Sequence, residues 1–223
     1  MVFDFNKIAD DYDSWYESAL GKMVDDFEKN LILPYLKMMP STVVLEIGCG
    51  TGHWTSFLTN NNFYVLGIDN SEKMLEIANK KKIKNASFIF GDAHKLPFHA
   101  NSIENIIAIA SLEFMDNVEV VFNEIKRVLK PGGSFIAGCL NKNGSLIKEK
   151  INKSPYKEAT FFDYLTLSDY LKEFGDPVFS GGAMFPENGK NLEEALKAEL
   201  YSSEQEKLEH GNFLAAFVLK TKK

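Results

Sequence analysis

The fold of this chain follows from nine consecutive residues, Val44-Leu45-Glu46-Ile47-Gly48-Cys49-Gly50-Thr51-Gly52. Their first part is a mostly apolar run, which predicts a buried strand over residues 43–47. Three glycines within five residues follow, and they let the backbone turn tightly and approach a ligand because no Cβ stands in the way. A helical pattern then begins at His53 and extends to about residue 60. The nine residues therefore predict the strand and loop that open a βαβ unit.

Short β-rich runs alternate with helical patterns along the next part of the chain. The runs cover residues 63–68, 87–90, 105–110 and 134–140. One helix is predicted after Ser71, a residue type that caps helix N-termini, and another over residues 117–129, where apolar residues recur with the helical period. This alternation is typical of an α/β fold with a doubly wound, mostly parallel sheet flanked by helices.

Beyond residue 140 the alternation loosens, but further elements are predicted. Helices are expected over residues 168–174 and 192–208, and strands over 177–183 and 212–220, which gives a seven-stranded sheet. Residues 1–40 are helical in pattern and rich in aromatic residues, and we interpret them as a cap over the ligand edge of the sheet. We thus predict one domain with an N-terminal cap (1–40), a ligand-binding core (41–140) and a third part (141–223) with the final strands.

The composition is that of an ordinary globular protein, with 45 % hydrophobic and 25 % charged residues. The 223 residues include 25 lysines and arginines against 31 acidic residues, a net charge of −6, so there is no electrostatic reason to bind nucleic acid or an anionic membrane. The longest apolar run, residues 213–219, is far shorter than the roughly 20 residues of a membrane-spanning helix. The N-terminus lacks a signal-peptide pattern, and Cys49 and Cys139 do not suggest a disulfide framework. These features predict a cytoplasmic protein.

The ligand class is indicated by a carboxylate and by the glycine spacing. Asp69 ends the second strand about 20 residues after Gly48, where an acidic residue accepts hydrogen bonds from ribose hydroxyls. In the dinucleotide fingerprint G-x-G-x-x-G, the third glycine makes room beside a pyrophosphate. Here His53 occupies that position, and the third glycine is Gly52. The sequence therefore predicts a ligand that contains a nucleoside but no pyrophosphate.

Five motifs occur in a fixed order between residues 44 and 133. The first is the nine-residue stretch above, and the others are Gly67-Ile68-Asp69-Asn70-Ser71-Glu72-Lys73-Met74-Leu75, Gly91-Asp92-Ala93 with Leu96-Pro97-Phe98, Ala110-Ser111-Leu112-Glu113-Phe114-Met115-Asp116, and Arg127-Val128-Leu129-Lys130-Pro131-Gly132-Gly133. Together they resemble the class I, Rossmann-like S-adenosylmethionine-dependent methyltransferases, and among these the small-molecule group called type 11. The resemblance covers about residues 12–140. It implies S-adenosyl-L-methionine as methyl donor, S-adenosyl-L-homocysteine as product and a last strand antiparallel to its neighbours.

The resemblance also implies which residues hold the methionine part of the cofactor. The backbone of the glycine loop, with Gly48, Cys49, Gly50 and Gly52, would accommodate this part, and Glu46 would orient its ammonium group. Ser111 would lie under the sulfonium and its methyl group. Tyr12 and Tyr16 match an aromatic N-terminal segment that folds over the cofactor in the family.

The adenosine part is assigned in the same way. Asp69 would bind the ribose hydroxyls, while Asn70 and Met74 would line the adenine pocket, since a thioether adapts to an aromatic face. Asp92 would accept a hydrogen bond from the adenine amino group, and the backbone NH of Ala93 would meet a ring nitrogen.

One position departs from the family pattern, because many relatives have a histidine where this chain has Phe114. No catalytic residue is therefore assigned, although His53, His94, His99 and Glu113 are possible bases. A sulfonium methyl group is already activated, so transfer can proceed by placing the acceptor in line behind it. His94 and His99 have no metal-ligand partners in the sequence, and we expect no metal site.

The acceptor is expected to be a small molecule methylated at oxygen, nitrogen or carbon. Its specificity should lie in residues 1–40, 141–167 and 181–211, whose aromatic residues suggest an apolar pocket. These are Phe3, Phe5, Trp15, Phe161, Phe162, Tyr164 and Phe185.

Three other functions are weighed beside this one. A NAD(P)-dependent oxidoreductase is disfavoured by His53 and Asp92, and a non-catalytic S-adenosylmethionine-binding module is the second alternative. A nucleic-acid methyltransferase is disfavoured because residues 110–113 lack the Asn/Asp-Pro-Pro-aromatic motif of base-methylating enzymes. The sequence leaves the oligomeric state open.

Overall fold

The computed structural model describes residues 3–185 and 191–222, and within these residues seven β-strands form one sheet. The strands are β1 Val43–Ile47, β2 Tyr64–Asp69, β3 Ala86–Phe90, β4 Ile103–Ile109, β5 Leu129–Leu140, β6 Val178–Gly182 and β7 Phe213–Leu219. They stand in the order β3-β2-β1-β4-β5-β7-β6. Neighbours are parallel up to β5, whereas β7 is antiparallel to both β5 and β6. The predicted sheet, with an antiparallel last strand, is confirmed.

The strand order reverses at β1, which is an inner strand, next to the central strand β4. Leu45 of β1 is paired with Leu66 of β2 on one side and with Ile106 of β4 on the other. Connections that start from β1 and from β4 therefore run in opposite directions across the sheet. In open α/β sheets this arrangement opens a crevice beyond the carboxyl ends of the strands, where ligands bind.

Helices flank both faces of the sheet. The described helices are α1 Ala9–Tyr12, α2 Ser14–Glu17, α3 Ala19–Leu36, α4 His53–Asn60, α5 Glu72–Lys80, α6 Val118–Val128, α7 Ser145–Lys150, α8 Tyr164–Lys172, α9 Leu192–Tyr201 and α10 Glu204–His210. Short 3₁₀ turns cover Phe5–Lys7, Ala93–Lys95, Leu112–Phe114 and Tyr156–Glu158. None of the described helices has the length and apolar character needed to cross a membrane.

Neighbouring residues of the central strands supply two separate hydrophobic cores. Ile106 of β4 belongs to the buried cluster that contains Ile125 of α6, while the next residue, Ile107, belongs to the cluster that contains Ile32 of α3. This follows from the alternation of side chains along a strand. Because helices cover both faces, the edge at the carboxyl ends of the strands is left for a ligand.

Two predicted helices have different bounds in the structure. Helix α8 begins after Asp163 and not at Ser168, because the Asp163 side chain accepts a hydrogen bond from the backbone NH of Thr166 (2.9 Å) and caps the helix there. The single helix predicted over residues 192–208 is two helices, α9 and α10. Ser203 and Glu206 form a capping box that starts α10 anew, and this local signal overrides the amphipathic period.

The N-terminal region also differs in detail from its prediction. Tyr12 lies in α1, while Trp15 and Tyr16 lie in α2, so the predicted helical segment is divided at Asp13. Residues 1–2 of the predicted cap, residues 186–190 of a predicted acceptor segment, and residue 223 lie outside the described residues.

Candidate active site

The glycine loop after β1 leaves open space at the edge of the sheet. Gly48 and Gly50 have φ angles of +70° and +51°, in the left-handed region that favours glycine. A Cβ atom on Gly48 would lie 2.5 Å from the Cβ of Ser111, so any side chain there would collide with the loop after β4. A Cβ atom on Gly50 would meet no heavy atom within 4 Å. The loop thus packs tightly at Gly48 and exposes bare backbone at Gly50.

Asp69, at the end of β2, fixes this loop. Its Oδ2 accepts a hydrogen bond from the NH of Gly50 (2.8 Å), and its Oδ1 accepts one from the NH of Ser71 (2.8 Å). Burial raises the pKa of Asp69, although these backbone NH groups partly offset that effect. The carboxylate therefore connects the loop after β1 with the N-terminus of α5.

Asp92 and His94 connect the loops after β3 and β4. Asp92 Oδ1 accepts a hydrogen bond from the NH of His94 (2.9 Å) and lies 2.6 Å from His94 Nδ1. His94 Nε2 contacts the carbonyl oxygen of Asp116. Burial alone would raise the pKa of Asp92, but the hydrogen bonds and charge of His94 lower it below its usual value. Asp92 therefore stays ionised and keeps its second oxygen, Oδ2, available as an acceptor.

Glu46 and Ser111 lie beneath the loop. Glu46 is 2 % exposed, and the hydroxyl of Thr55 donates a hydrogen bond to its Oε2 (2.5 Å). Burial raises the pKa of Glu46 to about 8. Ser111 donates a hydrogen bond to the carbonyl oxygen of Ile47 (3.0 Å) and is also buried. The loops after β1 and β4 are thus held together at this point.

Aromatic side chains cover the crevice from the N-terminal side. Phe5 packs edge-on against Phe114, with ring centroids 5.2 Å apart, and against Tyr12 at 6.5 Å. Asn6 holds this segment in place, because its Oδ1 accepts hydrogen bonds from the Ser71 hydroxyl (2.9 Å) and the Lys73 NH (3.1 Å). The segment before α1 therefore forms one wall of the crevice.

These elements enclose a cavity with an empty volume of about 950 Å³ that is partly open to solvent. Nine of the predicted site residues line it, namely Tyr12, Gly48, Gly50, Asp69, Asn70, Met74, Asp92, Ala93 and Ser111. Four strand ends thus bring together residues that are up to 63 positions apart in the sequence, from Gly48 to Ser111, as expected for a parallel sheet.

The other four predicted site residues are not among the residues that line the cavity. Glu46 is buried beneath the loop, and Cys49 is also buried, with its Sγ 2.8 Å from the position of a Cβ on Gly67. Gly52 precedes α4 and lies against Ile83. Tyr16 stacks on His53, with ring centroids 3.6 Å apart.

Several lining residues were not predicted as cofactor contacts. They are Phe3, Phe5, Ile47, Ile68, Gly91, His94, Ala110, Phe114, Met115 and Asp116. Most of them are next to a predicted motif residue in the sequence, so their position near the end of a strand could have predicted that they line the cavity. Phe3 and Phe5 were named only for the acceptor pocket, and their place beside the strand ends depends on how the N-terminal segment folds back.

The possible bases have other partners in the structure. His53 Nε2 lies 2.7 Å from Asp25 Oδ1, and His94 bridges two loops as described. His99 is exposed and does not line the cavity. Glu113 is buried, and its Oε1 accepts a hydrogen bond from the NH of Leu140.

Comparison with known proteins agrees with this geometry. The family model Methyltransf_11, a methyltransferase domain, matches residues 45–137. An uncharacterized protein of Methanocaldococcus jannaschii is 32 % identical over 175 residues, which cover 77 % of this chain and 80 % of that protein. A demethylmenaquinone methyltransferase of Lactococcus lactis is 29 % identical over 227 positions, 98 % of this chain and 89 % of that enzyme.

Solved structures share the fold over nearly the whole chain. A crystal structure of an S-adenosylmethionine-dependent methyltransferase from Thermotoga maritima, described as a possible histamine N-methyltransferase, has a TM-score of 0.72 and 25 % identity. The match covers 97 % of this chain and 98 % of that one. The sheet order, the glycine loop and these likenesses show that the chain belongs to the class I S-adenosylmethionine-dependent methyltransferases, in the type-11 methyltransferase-domain family.

The chain is thus an enzyme that takes its methyl group from S-adenosylmethionine. The residues at the crevice fit this donor, because bare backbone borders open space at Gly50 and carboxylates stand at the ends of β2 and β3. The alternatives of a NAD(P)-dependent oxidoreductase and of a non-catalytic module do not agree with the family.

Proposed function

We propose that this enzyme transfers the methyl group of S-adenosylmethionine to a small molecule by in-line displacement. The observation that carries the proposal is the cavity itself. Its lining contains the carboxyl groups of Asp69 and Asp92 as well as the aromatic rings of Phe5 and Phe114. A polar cofactor and an apolar acceptor would therefore meet near Ser111, where the loops after β1 and β4 touch.

In this proposal the adenosine occupies the half of the cavity that β2 and β3 border. Asp69 binds the ribose hydroxyls, and Asp92 accepts a hydrogen bond from the adenine amino group while the NH of Ala93 meets a ring nitrogen. Asn70 and Met74 line the adenine pocket. Support comes from the cavity, which all five residues line, and from the position of Asp69 and Asp92 at two adjacent strand ends.

The methionine part lies along the glycine loop and ends near Glu46. The backbone of residues 48–52 accommodates it, including that of Cys49 and Gly52, which are not among the residues that line the cavity. Glu46 compensates the ammonium group, and Ser111 lies under the sulfur. Tyr12 covers the cofactor, and Tyr16 supports it through their edge-on contact (ring centroids 6.1 Å apart).

The methyl transfer itself depends more on how the donor and the acceptor are positioned than on proton transfer. Holding two reactants in line contributes about 7–11 kcal/mol to lowering a barrier. The positive charge of a sulfonium disperses as the methyl group leaves, and a pocket without water favours that dispersal. The aromatic wall formed by Phe5, Tyr12 and Phe114 excludes water at the place where the acceptor would enter.

The acceptor is bound, in this proposal, by the N-terminal cap (residues 1–40) and by the part after the core (141–223), around the cofactor-binding core (41–140). The methyl acceptor is a small metabolite and not nucleic acid, in keeping with the net charge of −6 and a cytoplasmic location. The named relatives take different acceptors, since one is a demethylmenaquinone methyltransferase and another a possible histamine N-methyltransferase.

Methyl-labelled S-adenosylmethionine tests the acceptor class directly. A cell extract is separated by ultrafiltration into small molecules and macromolecules, and each fraction is incubated with enzyme and donor. We expect label to enter the small-molecule fraction with the native enzyme and not with Gly50→Ala, whose added Cβ projects into the cofactor space. Label that appears only in RNA, DNA or protein would contradict the proposal.

A further inference from the structure

The imidazole of His94 lies between oxygen atoms that accept hydrogen bonds. Its Nδ1 is 2.6 Å from Oδ1 of Asp92, while its Nε2 contacts the backbone carbonyl oxygen of Asp116 and lies 3.2 Å from Oδ1 of the same residue. A neutral imidazole has one N–H donor and one acceptor nitrogen, whereas the imidazolium has two donors. With a neutral ring, one nitrogen lone pair would face an oxygen lone pair. The contacts on the two sides of the ring, which we call the His94 bridge, therefore require the protonated form.

The His94 bridge joins two parts of the cavity wall. Asp92, His94 and Asp116 all line the cavity. Asp92 follows β3, on the side where we propose that adenine binds, and Asp116 lies near the end of the loop after β4. The same loop supplies Ser111 and Phe114 to the cavity lining. The bridge therefore fixes the adenine side of the cavity relative to the side where methyl transfer is proposed to take place.

The loop after β4 has an unfavourable backbone conformation at both ends. Ala110, at its start, has a φ angle of +47°, and Asn117, at its end, has one of +44°. Residues other than glycine rarely adopt this left-handed region, and they retain it where surrounding contacts hold the chain. Asp116 directly precedes Asn117 in the sequence. The His94 bridge is therefore one of the contacts that hold this loop in place.

The charges around His94 favour its protonated form. Burial lowers the pKa of His94, but the hydrogen bonds and charges of Asp116 and Asp92 outweigh burial and raise this pKa above its usual value. Helix α6 packs against the same turn and carries Glu124, whose carboxylate accepts a hydrogen bond from Arg127 (2.6 Å). Glu124 is thus compensated by Arg127, and the charges that act on His94 are those of Asp92 and Asp116.

We propose that His94 is a positioning residue of the cofactor site, whose imidazolium fixes Asp92 for the adenine amino group and holds the loop after β4 beside it. This inference rests on the proposed function, in which Asp92 accepts a hydrogen bond from adenine. Oδ1 of Asp92 is used by His94, so Oδ2 remains for the adenine. Cofactor binding then depends on one proton that lies outside the reacting groups.

Loss of this proton weakens cofactor binding. A neutral His94 can keep its contact on only one side, so either Asp92 or the loop after β4 is released. Because the cofactor binds the bridged form in this proposal, its apparent affinity falls with the fraction of molecules that have lost the bridge. The contribution of His94 is therefore complete below its pKa and is lost as the pH rises through that pKa. Glu46 acts in the opposite direction, since its carboxylate form favours the ammonium group of the cofactor.

The test measures the affinity for S-adenosylhomocysteine by calorimetry at pH 6 and at pH 9. We expect the native protein to bind about tenfold more tightly than His94→Gln at pH 6, the effect of one charge-assisted hydrogen bond, and about equally at pH 9. In His94→Lys the ammonium stays charged at both pH values, so this variant should bind more tightly than His94→Gln by a similar factor at each. The control His99→Gln changes an exposed histidine that does not line the cavity, and it should match the native protein throughout.

The design separates His94 from other titrating groups and from the function on which the inference rests. Affinity ratios at one pH cancel the titration of Glu46, which all the proteins share, and cooperative urea unfolding shows that each variant is folded. A ratio of native protein to His94→Gln that is equal at both pH values, or a lysine variant that binds like the glutamine variant, would overturn the inference and leave the proposed function intact. A control His99→Gln that behaves like His94→Gln would also overturn it. Failure of the native protein to bind S-adenosylhomocysteine at either pH would instead contradict the cofactor site.

Discussion

In the proposed cofactor site, Asp69 is the residue with the most contacts to test. It accepts hydrogen bonds from the NH groups of Gly50 and Ser71, and in our proposal it also accepts them from the ribose. Asp69→Asn removes the charge from these bonds, and hydrogen bonds to charged groups contribute about 1.5–3 kcal/mol. We therefore expect the affinity for S-adenosylhomocysteine to fall by about tenfold to a hundredfold in calorimetry. The exposed control Asp169→Asn should bind like the native protein, and equal affinity in both variants would contradict the role of Asp69.

Glu46 should release a proton when the cofactor binds. Because burial raises its pKa to about 8, the carboxyl is mostly protonated at pH 7, and a nearby ammonium group favours the carboxylate. We expect the binding heat of S-adenosylhomocysteine at pH 7 to differ between phosphate and Tris buffers, because these buffers take up a released proton with different enthalpies. The difference should correspond to the release of up to about one proton per molecule of ligand bound. Glu46→Gln should abolish the buffer dependence. Identical heats for the native protein in both buffers would place the ammonium elsewhere.

Among single residues, those that belong to a short sequence motif were predictable. Gly48, Asp69 and Asp92 stand at strand ends in recognisable motifs, so their convergence follows from the parallel sheet. His94 could not be assigned its bridge to Asp116, because that contact depends on how the loops after β3 and β4 approach each other. Glu113 Oε2 has no hydrogen-bond partner among the described residues. This was not predictable either, because burial of a polar side chain is a property of the packed chain.

At the scale of elements, a side chain added to the glycine loop would both strain the backbone and occupy the space of the ligand. A comparison of Gly50, in this loop, with Gly132, outside it, separates the two effects. Gly50 and Gly132 both have positive φ angles, so replacement by alanine costs about 1–2 kcal/mol in either case. Added Cβ atoms would meet nothing within 4 Å at Gly50, and only the flexible Lys222 side chain, 3.1 Å away, at Gly132.

We therefore expect Gly50→Ala and Gly132→Ala to lose similar free energies of unfolding in urea titrations. Only Gly50→Ala should bind S-adenosylhomocysteine more weakly, by about tenfold or more, because its methyl group occupies cofactor space. Equal affinity of the two variants would mean that the cofactor does not pass Gly50.

The bounds of elements with a strong hydrophobic pattern were predictable. The bounds of helices that begin at a capping side chain were less predictable. The apolar runs of β1 and β4 and the period of α6 gave bounds within two residues of the structure. The division between α9 and α10 was missed because an amphipathic period continues through Ser202 and Ser203, while the capping box that breaks it is a local hydrogen-bond choice. Prediction from periodicity alone overlooks such competition.

At the scale of the whole molecule, buried acids make the stability depend on pH. Burial raises the pKa of Glu28 and Glu46 to about 8 and that of Glu113 to about 7, from an unperturbed value of 4.5. The folded protein thus retains protons that the unfolded chain releases near pH 4.5, so these groups stabilise the fold at low pH, and this stability is lost as the pH rises toward 8.

Urea unfolding between pH 5 and pH 8 checks this expectation. The free energy of unfolding of the native protein should fall over this range, and Glu28→Gln should flatten the slope by up to about 1.4 kcal/mol per pH unit. The exposed control Glu149→Gln should leave the slope unchanged. A native slope that is flat or rises with pH would show that these carboxyls are ionised in the folded protein.

The sheet order makes one region of the molecule available for chemistry. Reversal of the strand order at β1 brings four strand ends to one crevice, and the N-terminal segment covers it. The class of fold was predictable because alternating strands and helices allow few topologies. An N-terminal cap over this edge was predicted, but the contacts through which Phe5 and Asn6 close it were not predictable, because they are long-range contacts with α5 and with the loop after β4.

A crystal structure with S-adenosylhomocysteine tests the central claim most directly. We predict ribose hydroxyls within hydrogen-bond distance of the Asp69 carboxylate, the adenine amino group beside Asp92, and the sulfur above Ser111 on the cavity side. Electron density that places the adenosine outside this crevice, or that leaves both carboxylates without ligand contacts, would contradict the account.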